Sequence, residues 1–129
     1  MNFYISSRVA NQKKVKEIKN YIIEKGHEVK TDWTEHTPPR PYDFDVESSG
    51  KYAIKDINAS MNCDVFILLT SESGTGMYAE FGSAIANSIK EGKPKIYVIG
   101  DYLSRSMFFF HPLVIRKEKI EEVFIDLGI

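Results

Sequence analysis

Asp64-Val-Phe-Ile-Leu-Leu-Thr70, running directly into Ser71-Glu-Ser-Gly-Thr-Gly-Met-Tyr-Ala-Glu80-Phe-Gly82, decides the fold. The first half is a short apolar run bounded by polar residues, the pattern of a central parallel strand covered on both faces. The second half is a glycine-bearing turn that opens a helix. Met77, Phe81, Ala84, Ile85, Ser88 and Ile89 recur on one stripe of that helix, and Gly92 suits its end. In α/β proteins, ligands collect outside the carboxyl ends of parallel strands, facing helix N-termini. Glu80, expected in about the first turn, is therefore the first candidate for chemistry. The macrodipole is expected to keep it ionised, and Gly74 and Gly76 to let backbone N–H groups approach a ligand closely.

Working outward, strands alternate with helices. Phe3-Tyr-Ile-Ser6 reads as a first strand, and Val15, Ile18 and Ile22 recur at helical spacing until Gly26. Glu28-Val-Lys-Thr-Asp-Trp33 alternates like a strand with one wetter side. Thr34 to Val46 holds Pro38, Pro39 and Pro41 and is a loop of functional length. Ala53, Ile54, Ile57 and Met61 restore helical spacing between about Ser48 and Asn62. Lys95–Ile99 reads as a strand, Leu113–Ile115 as a short further one, and Lys117 to Leu127 as a terminal helix. The β-α-β-α order predicts an α/β three-layer sandwich, flavodoxin-like or Rossmann-like, with a parallel sheet of about five strands in a single domain spanning 1–129.

Composition narrows the function classes. Seventeen basic and eighteen acidic residues give a net charge of -1, which supplies no basic footprint for a nucleic-acid polymer or an anionic membrane. The single cysteine, Cys63, forms no internal disulfide, and no apolar run approaches membrane-spanning length, so a cytoplasmic protein is expected. Neither a dinucleotide nor a P-loop glycine fingerprint is present. His27, His36 and His111 stand apart without metal-ligand spacing, so no metal and no cofactor is expected.

Carboxylate chemistry remains. Glu80 supplies one acid, with a solvent-facing partner of the helix dipole as the alternative; Asp56 lies beside the apolar stripe of the preceding helix, able to lean toward the same crevice, with a solvated helix residue as the alternative. One ionised carboxylate and one that handles a proton are the parts needed to break a glycosidic bond through an oxocarbenium-like transition state.

Phe3-Tyr4-Ile5-Ser6-Ser7 at the first strand, Asp32-Trp33-Thr34, Asp56 eight positions before Asp64, and Gly76-Met-Tyr78-Ala-Glu80-Phe-Gly82 after it together resemble the nucleoside 2-deoxyribosyltransferase superfamily. That group includes the 2′-deoxynucleoside 5′-phosphate N-hydrolases. The resemblance spans roughly residues 2 to 100. It implies that Glu80 attacks the anomeric carbon, that Asp56 handles the proton for the departing base and that Tyr4 orients Glu80. Where transferases often show Asp-Ser-Gly-Thr, this chain has Glu72-Ser73-Gly74-Thr75.

Ser6, Ser7 and Arg8 resemble a phosphate-gripping loop, with an exposed arginine at a helix entry as the alternative. Ser73, Gly74 and Gly76 are expected at the substrate, or Ser73 as an ordinary cap. Trp33, with Tyr42 and Phe44, is expected to stack on a base, and Phe108-Phe-Phe-His-Pro112 to form a lid, a subunit interface or a core edge. The ligand is a small-molecule nucleoside or nucleotide, and a homodimer or higher homo-oligomer accords with the family habit. The leading expectation is cleavage of the N-glycosidic bond of (deoxy)nucleosides, the deoxyribosyl group passing to another base or to water. A (deoxy)nucleoside 5′-monophosphate N-hydrolase comes second. A non-catalytic nucleotide-binding or sensing module and a glycohydrolase of NAD or a signal nucleotide stay open.

Overall fold

The computed structural model describes residues 1–36, 38 and 40–129, so that of the loop prolines Pro39 lies outside the described residues. Four strands, β1 (Phe3–Ser6), β2 (Val65–Leu69), β3 (Lys95–Ile99) and β4 (Val114–Lys117), form a parallel sheet in the order β1-β2-β3-β4. Register runs Phe3 to Val65, Val65 to Lys95 and Ile96 to Val114. Four α-helices accompany them: α1 (Gln12–Glu24), α2 (Val46–Asn62), α3 (Gly76–Glu91) and α4 (Ile120–Leu127). Helices α2 and α3 pack on each other over one face of the sheet. On the other face α1 approaches α4, where the Lys25 ammonium lies over the Phe124 ring.

The expected three-layer α/β sandwich is present, with four strands where about five were expected. Of Glu28–Trp33, only Glu28 pairs, in a single parallel bridge to Asn2. Asp32 then ends any extension. Its carboxylate accepts from the Thr34 amide at 2.9 Å and binds the Lys19 ammonium at 2.6 Å, bending the chain into a 3-10 turn over Trp33–Glu35. The Trp33 indole N–H donates to the Ile5 carbonyl at 2.7 Å, so a side chain occupies an acceptor that a fifth strand would have used. β4 starts one residue later than expected and runs to Lys117, and α4 starts correspondingly late. Helix α2 begins two residues early because the Asp45 carboxylate caps the Ser48 amide at 2.9 Å.

Every side chain of β2 is buried, as its apolar run requires. Burial of each such Val, Leu, Ile or Phe contributes about 1.5–3 kcal/mol. Along β1 the pleat sends Phe3 and Ile5 one way and Tyr4 and Ser6 the other, toward α3, so two hydroxyls enter the core on the α2/α3 side. Cys63, at the end of α2, is buried, and burial pushes its thiol up to about 12, which removes it from thiolate chemistry. Among the described residues no helix is long and apolar enough to cross a membrane.

Candidate active site

Strand β1 and helix α3 meet at Glu80. The Tyr4 hydroxyl donates to Glu80 Oε2, and the Ser6 hydroxyl donates to Oε1 at 3.3 Å while also lying 3.5 Å from the Met77 carbonyl. Glu80 is the fifth residue of α3, just past the first turn, and no acidic residue occupies that turn. The macrodipole therefore does not decide its charge. Burial does: the Glu80 carboxyl is pushed up to about 7, the Tyr4 hydrogen bond opposing that rise and the nearby charge of Asp56 adding to it. The expectation of a permanently ionised Glu80 is corrected on this point, since a carboxylate among Tyr4, Ser6 and the α3 backbone has little water to hold its charge. Tyr4 is itself raised, first by burial and then by the charge of Glu80.

Asp56 reaches the same region from α2, and its charge acts on both Tyr4 and Glu80. Its carboxyl is raised by burial, against the opposing influence of His36 and then Lys55. His36 Nε2 lies 3.3 Å from Asp56 Oδ1, and the His36 ring stacks on Tyr52 with centroids 4.4 Å apart and planes 5° apart. The His36 side chain is 11 % exposed and that of Asp56 22 %. Sequence reasoning missed His36 and treated it as isolated. The two residues are 20 apart across an irregular loop, a separation to which no periodicity applies.

The remaining expected binding residues divide. Ser6 is fully buried and faces Glu80, so it supports the carboxylate instead of presenting its hydroxyl to an open cleft. The Ser7 hydroxyl donates to the Leu69 carbonyl at 3.0 Å and accepts from Asn11 at 3.0 Å, which ties β1 to β2 and to the entry of α1. Trp33 is buried at the β1 edge and offers no open ring face for a base. Asp64, part of the recognisable spacing, accepts from the Asn2 amide at 2.7 Å at the opposite end of the sheet and is structural.

Arg8, Ser73, Gly74 and Gly76 stay at the carboxyl ends of the strands. Gly74 has φ +126°, and a Cβ there would stand 3.2 Å from Arg8 Cγ, so the Arg8 stem crosses this turn. Gly76 has open space around it and needs no glycine for conformation. Ser73 is exposed, and Thr75 makes no side-chain capping bond at the start of α3. Arg8 and Glu72 also line a cleft of about 890 Å³ on the α1/α4 side, with Thr70, Ser71 and Tyr102. Glu80 is not in that cleft. The α2/α3 side instead groups Glu80 with Tyr4 and Ser6, with the charge of Asp56 acting on Tyr4 and Glu80.

Of the aromatic run, Phe109 is buried against Phe81 and Tyr78, whereas Phe108 and Phe110 are exposed, the latter beneath the Arg116 guanidinium. One phenylalanine thus closes the core edge, and two stand on the surface.

By sequence, no protein-family model matches the chain and no curated protein does. By structure, the fold is similar to that of a Clostridium botulinum CMP N-glycosidase, BcmB, with a TM-score of 0.59, 20% identity and 100% of each chain covered. At that identity the likeness establishes the fold.

Proposed function

We propose that this protein cleaves the N-glycosidic bond of a nucleoside 5′-monophosphate, with Glu80 as nucleophile. The observation that carries the reading is the half-buried Glu80 carboxyl held by Tyr4 and Ser6 within electrostatic reach of Asp56. Tyr4 engages Oε2, and the longer Ser6 contact leaves Oε1 the freer oxygen for attack. Oε1 bonds to the anomeric carbon as the bond from that carbon to the base nitrogen breaks, its electron pair leaving with the base. The proton held between Asp56 and His36 passes to the base. Water then attacks the same carbon, its proton returns to the Asp56–His36 pair, and Glu80 leaves as carboxylate. A poorly solvated carboxylate favours this course, because developing positive charge on the sugar stabilises the ionised form that burial disfavours.

Two further features support the nucleotide over the nucleoside. Arg8 and the uncapped start of α3 stand at the strand ends beside Ser73, where a 5′-phosphate would meet a guanidinium and free N–H groups. The structural neighbour carries the name of a CMP N-glycosidase. The order set by sequence alone, nucleoside transferase first, is therefore reversed in this proposal. Transfer to an acceptor base is the second reading, and a homodimer in the cytoplasm remains part of the proposal.

Free-base release from nucleosides and their 5′-monophosphates, with and without an acceptor base, tests it. A monophosphate is expected to bind about ten- to a hundredfold more tightly than its nucleoside, and Arg8→Ala to remove most of that preference. Equal handling of both by the parent protein would exclude the phosphate site, and new nucleoside formation with an acceptor would favour transfer.

A further inference from the structure

Tyr52 and Asp56 stand one helical turn apart, at i and i+4, on the same face of α2. His36 spans that face: its ring lies flat on Tyr52, and its Nε2 meets Asp56 Oδ1 at 3.3 Å. Among the described residues, the His36 amide donates to the Trp33 carbonyl at 3.2 Å, and Trp33 is pinned in turn to Ile5. That tie places the backbone, and the ring turns about its side-chain bonds. Among the described residues, the Tyr52 face and the Asp56 oxygen define the ring's direction.

From this geometry we infer that Tyr52 is a positioning residue, an aromatic platform that holds the His36 imidazole edge-on to Asp56 so that the two share the proton delivered to the leaving base. The parallel stack suits the task. An electron-rich phenol face stabilises an imidazolium as well as an imidazole, so the ring keeps its orientation whether or not the proton is on it. A hydrogen-bonding platform would favour one of the two states. The phenol ring, and not its hydroxyl, makes the contact. Lys55 from α2 also acts on Asp56, whose charge in turn acts on Glu80 from α3 and Tyr4 from β1, and none of these is stacked on His36. The catalytic consequence rests on the N-glycosidase reading above, whereas the clamp itself does not.

The test compares Tyr52→Phe, which keeps the stack, with Tyr52→Leu, which keeps apolar bulk but not the face; Tyr52→Gln replaces the latter if it folds poorly. Proton–carbon correlation spectra of the histidine rings report on His36, identified by its loss in His36→Gln. In the parent protein and Tyr52→Phe, the His36 ring chemical shifts are expected to respond to Asp56→Asn. In Tyr52→Leu that response should shrink.

Turnover of a nucleotide whose neutral base needs a proton should fall about ten- to a hundredfold in Tyr52→Leu and be retained in Tyr52→Phe. An N7-alkylated guanosine 5′-monophosphate, whose base already carries positive charge, should lose little in either. A Tyr52→Leu protein with an unchanged His36 response, or with equal losses on both substrates, overturns the inference. If the parent releases no base from any nucleotide while the His36 response behaves as described, the N-glycosidase reading fails and the clamp stands.

Discussion

Two tyrosine–carboxylate pairs sit on opposite faces of the sheet and behave oppositely. Tyr4 donates to Glu80, and Tyr97 donates to Asp126, in each case from a strand to a helix. Yet Glu80 is pushed up to about 7, whereas Asp126 is held below the usual carboxylate range by its hydrogen bonds to Tyr97 and Lys95. Asp126 stands in solvent with the Lys95 ammonium 3.1 Å away, so its charge is hydrated and matched. Among the described residues, Glu80 has hydroxyl donors, no cation paired with it, and a second carboxyl within electrostatic reach. The same bond is thus a surface clamp in one setting and a contact to a poorly hydrated carboxyl in the other. Burial and the missing cation make the difference.

The largest expected effect separates the pairs outright. Glu80→Gln preserves the shape and the Tyr4 contact but removes the nucleophile, and base release should fall by about three orders of magnitude or more. Turnover above about a tenth of the parent's would move the nucleophile elsewhere. The same variant probes stability. Because the folded-state value of about 7 exceeds the ordinary 4.5, the native protein binds the extra proton between those values. Stability is therefore intact below about pH 4.5 and is lost as pH rises toward 7, by an amount on the order of 3 kcal/mol. Glu80→Gln should escape that loss, so its denaturation midpoint should gain on the parent's from pH 4 to pH 8. A constant gap would show that Glu80 is not shifted.

Tyr4→Phe should act less strongly. The lost hydrogen bond lowered the Glu80 value, so the acidic limb of the rate–pH profile should move upward, with a rate loss of about ten- to a hundredfold near neutrality. A limb that stays in place would deny Tyr4 its influence on the charge of Glu80. Smallest is Tyr97→Phe, expected to leave turnover unchanged and lower Tm by a few degrees at most, roughly what loss of one partly exposed hydrogen bond produces. A rate loss comparable to that of Tyr4→Phe would erase the distinction between the two regions.

The contrast also marks what could be read before folding. Strand β2, the helix after it and the place of Glu80 at the strand ends follow from an apolar run and a 3.6-residue stripe, which are local patterns. Glu28–Trp33 shows the limit. Its alternation suits a strand, but Asp32 binds Lys19 and the Thr34 amide, and Trp33 turns inward onto Ile5, so tertiary partners outweigh propensity. Ser6 and Ser7 are adjacent in sequence, yet the pleat sends one to Glu80 and the other to Leu69.

By itself the sequence determined the order of the elements outside Glu28–Trp33 and the parallel sandwich, because hydrophobic periodicity is written within a few turns of chain. Tertiary structure alone decided that the sheet stops at four strands, that Glu80 is raised in place of being ionised by a helix terminus, and that His36 joins Tyr52 and Asp56. Each of these depends on solvent exclusion or on groups brought together from distant positions, and neither leaves a periodic trace in the chain.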